Sequence, residues 1–193
     1  MTRIVAGRAG GRRLAVPSQG TRPTSDRARE GLFNTLSVEL ELSGARVLDL
    51  FAGSGAVGLE ALSRGAAEAV LVESDRRACA VIEANLRTLG LAGGIVRQAS
   101  VAHYLATGVD GPFDLVFADP PYALAAEAVA DLLAALADDR WLRPDALLVL
   151  ERPARDPQPA WPATIAALKH RRYGEGCLWY GRQASETMPE SKR

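Results

Sequence analysis

Asp49-Leu50-Phe51-Ala52-Gly53-Ser54-Gly55-Ala56-Val57-Gly58 is the stretch that decides the fold of this 193-residue chain. An apolar run from Arg46 to Leu50 leads into it and a helical pattern follows, so it reads as a strand, a glycine-rich turn and a helix. Gly53, Gly55 and Gly58 match G-x-G-x-x-G, in which glycines allow a tight turn and a close backbone approach to a ligand. Glu73 ends the next apolar run, where a ribose-binding acid belongs. A nicotinamide or flavin nucleotide is therefore one reading. Asp49 opposes it, because a carboxylate just ahead of the glycines would face a bound pyrophosphate and repel it in a poorly solvated cleft. A cationic ligand without phosphate suits the same residues. S-adenosylmethionine carries a sulfonium, an α-ammonium and a ribose: Asp49 would meet its amino-acid end, the glycines its backbone-facing side and Glu73 its ribose hydroxyls. The candidate cofactor residues are Asp49, Phe51, Ala52, Gly53, Ser54, Gly55, Gly58, Glu73 and Ser74.

Outward from that turn, strands and helices alternate. Strands are predicted at 46–50, 69–73, 95–99, 114–118 and 146–150, with a helix after each of the first four. This repetition predicts an α/β fold with a mainly parallel sheet covered on both faces and ligands at the strands' carboxyl ends. Two further strands, near 169–173 and 177–182, flank Gly174-Glu175-Gly176 and read as a closing hairpin. Upstream, Arg3-Ile4-Val5-Ala6-Gly7 and Arg12-Arg13-Leu14-Ala15-Val16 alternate around a glycine-bearing turn and predict an N-terminal β-hairpin over residues 1–20. Thr21-Arg22-Pro23-Thr24-Ser25-Asp26 reads as a helix start, followed by Ala28, Leu32, Phe33, Leu36 and Leu40 at helical spacing. In that helix Asp26, Arg29, Glu30 and Phe33 are helical neighbours. Either they face a site or they form ion pairs along a solvated face. The main domain is expected over 21–183, and the polar residues 184–193 are expected to be a disordered tail.

The fourth strand ends in Asp119-Pro120-Pro121-Tyr122. Each proline fixes its own φ and removes a donor, and each disfavours helical geometry in the residue before it. The Asp119 carboxylate and the Pro120 carbonyl then offer paired acceptors for an exocyclic NH2. Tyr122 supplies a ring for the base that carries it, a stack worth about 1–3 kcal/mol.

Composition narrows the class. At 24% charged and 48% hydrophobic, the chain suits one well-buried core. Its formal net charge is zero, yet the first 25 residues hold Arg3, Arg8, Arg12, Arg13 and Arg22 and no acid, the pattern of an electrostatic footprint for phosphates. Cys79 and Cys177 lack metal or redox spacing and are expected as reduced core residues of a cytoplasmic protein. No apolar run reaches the about 20 residues that span a bilayer, so no membrane association is expected.

Taken together, Arg22-Pro23-Thr24 with Asp26, Arg29, Glu30 and Phe33, the run from Asp49 to Gly65, Val72-Glu73-Ser74-Asp75 and Asp119 to Tyr122 closely resemble the RsmD-type methyltransferases over residues 3 to about 182. The resemblance implies a class I S-adenosylmethionine-dependent, Rossmann-like fold with a seven-stranded sheet and an N-terminal hairpin. It implies methylation of a guanine N2 in 16S ribosomal RNA, the family target being guanine 966, within the small ribosomal subunit and by a monomer. The cofactor is implied at Asp49, Gly53, Gly55 and Glu73, and the target base at Asp119, Pro120, Pro121 and Tyr122. One departure stands out. Where many relatives place Asp or Asn after the third strand for the adenine amine, this chain has Gln98-Ala99-Ser100-Val101, leaving the Ser100 hydroxyl or the backbone of Ser100 and Val101 as candidates. The arginines are expected to hold RNA, and no metal is required. Three rival functions use related features: DNA adenine N6 methylation, protein-glutamine methylation, and non-catalytic RNA binding on a methyltransferase fold.

Overall fold

Strand β1 (Arg46–Leu50) is the third strand of a seven-stranded sheet of order β3-β2-β1-β4-β5-β7-β6 in the computed structural model, which describes residues 2–17 and 26–185. The other strands are β2 (Glu68–Glu73), β3 (Gly94–Gln98), β4 (Phe113–Ala118), β5 (Leu142–Pro153), β6 (Ile165–Tyr173) and β7 (Gly176–Gln183). Helices α1 (Asp26–Glu39), α2 (Ala56–Ser63), α3 (Arg76–Leu89), α4 (Val101–Thr107) and α5 (Ala126–Leu136) complete the described elements. β1 to β5 run parallel and β7 is antiparallel to both neighbours. The sheet order reverses between β1 and β4, the position at which open α/β sheets bind ligands.

Side chains alternate across the strands and divide the core in two. Val47, Leu115, Phe117, Leu147 and Val149 pack with α1, α2 and α3, whereas Leu48, Leu50, Val116, Leu148 and Leu150 pack with α4 and α5. Helix α2 is buried at all eight positions. A helix enclosed on every side needs cover beyond the sheet, and the N-terminal segment supplies it: Ile4, Ala9 and Leu14 belong to the same apolar cluster as Val57, Leu59 and Leu62. Helix α3 has strong local signals at both ends. Asp75 accepts from Arg77 N–H at the start, and Gly90 closes the end at φ 65°.

Three sequence expectations change here. The predicted N-terminal hairpin is present in a shorter form: Ile4 N–H donates to the Arg12 carbonyl and Leu14 N–H to the Thr2 carbonyl on either side of the antiparallel bridge of Arg3 with Arg13, and Val5 and Ala6 N–H are given to Glu60 of α2. β5 and β6 begin earlier than expected, at Leu142 and Ile165, and the register slips between Phe113 and Leu115. Of the expected tail, Ala184 donates to the Thr164 carbonyl and Ser185 to Asp145, while 186–193 lie outside the described residues. No helix among the described residues is long and apolar enough to cross a membrane.

Candidate active site

A cleft of about 980 Å³ opens at the carboxyl ends of β1, β2, β4 and β5. Asp49 and Phe117 are register partners, and Asp119 follows Phe117 by two residues. Period-two alternation therefore brings Asp49 and Asp119 out on the same side of neighbouring strands, toward α2.

The β1 end is built around buried charge. Asp49 is 2% exposed and accepts from Gly58 N–H at 2.9 Å. Burial, reinforced by the nearby Glu73 charge, pushes its carboxyl up to about 7 against the pull of the Gly58 bond. Glu73 receives Gly53 N–H at 2.8 Å on one oxygen and Asp75 N–H at 2.8 Å on the other, so it clamps the glycine turn to the end of β2. Phe51 takes φ 61°, a left-handed conformation that costs a residue with a side chain about 1–2 kcal/mol. Such strain persists where the surroundings hold it and is common at functional sites. Gly55 caps α2 from φ 77°, and a Cβ on Gly58 would stand 2.8 Å from the Leu71 side chain.

Asp49, Phe51, Ala52, Gly53, Ser54, Glu73 and Ser74 all line the cleft, while Gly55 and Gly58 sit beneath it and shape the turn. Ser100 and Val101 do not line it. The Ser100 hydroxyl accepts from His103 N–H as the cap of α4, and Val101 packs in the α4–α5 core. A serine directly before a helix is a capping signal, which is how this one is used.

The β4 end carries Asp119, Pro120, Pro121 and Tyr122, all on the cleft wall. Arg152 holds this loop, donating to the Pro121 carbonyl at 3.3 Å and the Leu124 carbonyl at 3.0 Å while its Nε bonds Asp156. The cleft also takes Glu151, Arg172, Tyr173, Glu175 and, from α1, Arg27 and Ala28, none of which the sequence had marked as a site residue. Gly31 lets the hairpin tip approach α1, since a Cβ there would collide with the Tyr173 hydroxyl.

Of the two roles the α1 spacing left open, the ion pair along the helix is present between Arg29 and Asp26, with Arg29 buried rather than on a solvated face. Arg29 and Glu60 have fully buried side chains with Nε and Oε2 3.8 Å apart. Arg29 also donates to the Arg3 carbonyl and to Asp26 at 2.8 Å. Glu60 accepts from Val5 N–H at 2.7 Å, Ala6 N–H at 3.0 Å and Arg64 Nε at 2.8 Å, and the Arg64 guanidinium lies 4.7 Å over the Phe33 ring. Asp26, Arg29 and Phe33 therefore fasten the N-terminal segment to α2 and do not line the cleft; Glu30 is exposed on α1. Arg22 and Thr24 lie outside the described residues. Arg3, Arg8, Arg12 and Arg13 are exposed, but Arg12 donates to the Thr88 and Leu89 carbonyls that end α3, and Arg8 to the Leu62 carbonyl near the end of α2. These two complement helix C-termini.

A buried acid whose ionisation is opposed, an acid clamping the glycine turn and a carboxylate-proline loop across one cleft fit a cationic, phosphate-free cofactor. With the sheet order, they define a class I S-adenosylmethionine-dependent methyltransferase. The likeness to known proteins is specific. A family model described as Conserved hypothetical protein 95 matches residues 2–182, and the chain belongs to this family, that of the RsmD-type methyltransferases. The Ribosomal RNA small subunit methyltransferase D of Escherichia coli strain K12 is 39% identical over 190 residues, covering 98% of this chain and 92% of that protein. A solved Escherichia coli structure, described as the candidate methyltransferase YhhF, superposes with TM-score 0.84 at 36% identity, covering 96% of this chain and 99% of that one. The fold alone is shared with a candidate methyltransferase solved with S-adenosylhomocysteine, 14% identical with TM-score 0.66 over 80% of this chain and 49% of that one.

Proposed function

We infer that this chain methylates the exocyclic N2 of a guanine in 16S ribosomal RNA, in the small ribosomal subunit. One observation carries the reading: the Asp49–Glu73 end and the Asp119–Tyr122 end belong to one cleft, so a cationic donor and a flat amine meet over adjacent strand ends. The cofactor supplies an electrophilic methyl group. Asp49 and Glu73 are the residues that would hold it, at its ammonium and its ribose.

The chain's own residues do the rest. A guanine N2 is a weak nucleophile because its lone pair is delocalised into the ring. Asp119 and the Pro120 carbonyl accept its two N–H groups, which favours a pyramidal nitrogen with the lone pair turned toward the methyl. That interaction strengthens as charge develops and so accelerates the step rather than merely tightening binding. Asp119 then takes the released proton. Tyr122, 38% exposed, offers its ring for stacking by a base that has left its helix. Arg152 keeps the loop in register with β5, and such positioning contributes several kcal/mol in well-oriented reactions, about 7–11 at the upper end. Exposed Arg3 and Arg13 favour RNA over a peptide as the carrier of that amine.

The test offers labelled S-adenosylmethionine with small ribosomal subunits, free ribosomal RNA, duplex DNA and peptides in parallel. Label in ribosomal RNA, alone or in subunits, is expected; label confined to DNA or peptide overturns the reading.

A further inference from the structure

Glu151 is an acid of the cleft that the chemistry above leaves unused, and it stands beside Asp119. Ala118 and Leu150 are register partners on the parallel strands β4 and β5, so Asp119 and Glu151 occupy the next position on each. Neighbouring strands run about 4.8 Å apart, and residues at the same register share a face. Both carboxylates line the cleft, and Glu151 is only 7% exposed. Its position is enforced from β7. A Cβ on Gly176 would stand 2.9 Å from Glu151 Oε1 and 3.3 Å from the Tyr122 hydroxyl oxygen, so the missing side chain makes room for an acceptor beside the stacking ring. Arg152, the following residue, ties the same strand end to the carbonyls of Pro121 and Leu124. The strand end that carries Glu151 is thus bonded to the Asp-Pro-Pro-Tyr loop through Arg152.

The bases that carry an exocyclic amine differ in what flanks it. Adenine N6 lies beside N1 and cytosine N4 beside N3, both bare lone pairs. Guanine N2 lies between N3, a bare lone pair, and N1–H, a donor that neither of the other two bases offers beside its amine. An ionised carboxylate is an acceptor only. Placed beside the seat of the amine on the side where guanine carries N1–H, it attracts a guanine and repels the ring nitrogen that adenine or cytosine would turn there. We propose that Glu151 selects guanine by accepting its N1–H while Asp119 holds the N2 amine. The inference rests on the N2-methylation reading and adds a specificity-determining residue to it.

The test substitutes the base at the methylated position. 2-Aminopurine keeps the N2 amine and presents a bare N1, so it differs from guanine at the atom Glu151 is to read. Methyl transfer is measured under single turnover on small subunits or RNA carrying guanine or 2-aminopurine there. The wild-type protein is expected to favour guanine by at least about tenfold, the scale of one charge-assisted hydrogen bond. In Glu151→Gln the amide N–H can donate to the bare N1, so the preference falls to near unity or reverses while affinity for S-adenosylmethionine is retained. A residue of purely structural importance would slow both substrates alike. Equal wild-type rates on the two bases, or an unchanged ratio in Glu151→Gln, overturn the proposal; the wild-type ratio decides alone if the variant does not fold. Absence of methyl on guanine N2 in the wild-type arm defeats the underlying function, and is distinguishable from methylation of guanine N2 without discrimination.

Discussion

Replacing Asp49 with Asn has effects of opposite sign on folding and on cofactor binding. The carboxyl sits at about 7 in the fold against 3.8 ordinarily, a gap worth about 4 kcal/mol at roughly 1.36 kcal/mol per pH unit. A raised value in the fold means that the neutral form is the favoured one. Its benefit to stability is complete below pH 3.8 and is lost as the pH climbs to about 7, beyond which the ionised group opposes folding in full. Asn at this position keeps an oxygen for Gly58 N–H and never ionises. Without cofactor at pH 8, Asp49→Asn should therefore be more stable than the wild type by about 2–4 kcal/mol, with Tm raised by about 2–4 °C for each kcal/mol in a chain of this size. The advantage should shrink toward zero near pH 4. Cofactor binding should move the other way, because the ammonium loses a charged partner: affinity falls about 10–100-fold. Wild-type affinity should also decline below pH 7, where binding must first expel the Asp49 proton. Thermal unfolding across pH, paired with calorimetry, measures both arms. An Asp49→Asn protein that is less stable at pH 8 and binds the cofactor as well as the wild type would refute this reasoning.

Three further outcomes are expected. Asp119→Ala should lower single-turnover methyl transfer by about 10²–10³-fold, the usual effect of removing a group aimed at developing charge, while calorimetry finds cofactor affinity unchanged. Glu60→Gln removes the charge that faces buried Arg29 and weakens the acceptor for Val5 and Ala6, and breaking such a buried pair costs about 3–5 kcal/mol, measurable by urea unfolding. Arg3→Ala and Arg13→Ala should each reduce the salt dependence of RNA binding by about one charge; Arg12→Ala should also lower the melting temperature, since that side chain bonds the carbonyls that end α3.

The centre of the sheet was legible because β1, β2 and β4 are buried on both faces and read as short, mostly apolar runs, with Ala69 to Val72 and Leu115 to Ala118 the clearest. The acids that end them stand out for the same reason. Glu151 ends the run from Ala146 to Leu150 in the same manner as Glu73 and Asp119 end theirs, so its signal was present and passed over. The β6–β7 hairpin was legible from its glycine turn, but Arg172, Tyr173 and Glu175 reach the cleft because β7 pairs antiparallel with β5, a long-range pairing that local spacing does not encode. Alternation made the N-terminal hairpin legible but not the destinations of its side chains: Ile4 and Leu14 enter the core while Arg8 and Arg12 bond helix ends. Arg29 and Glu60 are 31 positions apart, and nothing between them in the sequence announces that their charges meet in the core.

The most direct measurement of the central claim is the identity of the methylated nucleoside. Small-subunit RNA methylated by this protein is digested to nucleosides and resolved by mass spectrometry against standards. The account predicts N2-methylguanosine, and predicts its loss with Asp119→Ala. N6-methyladenosine, methylation at another guanine atom, or label recovered only from protein would contradict it.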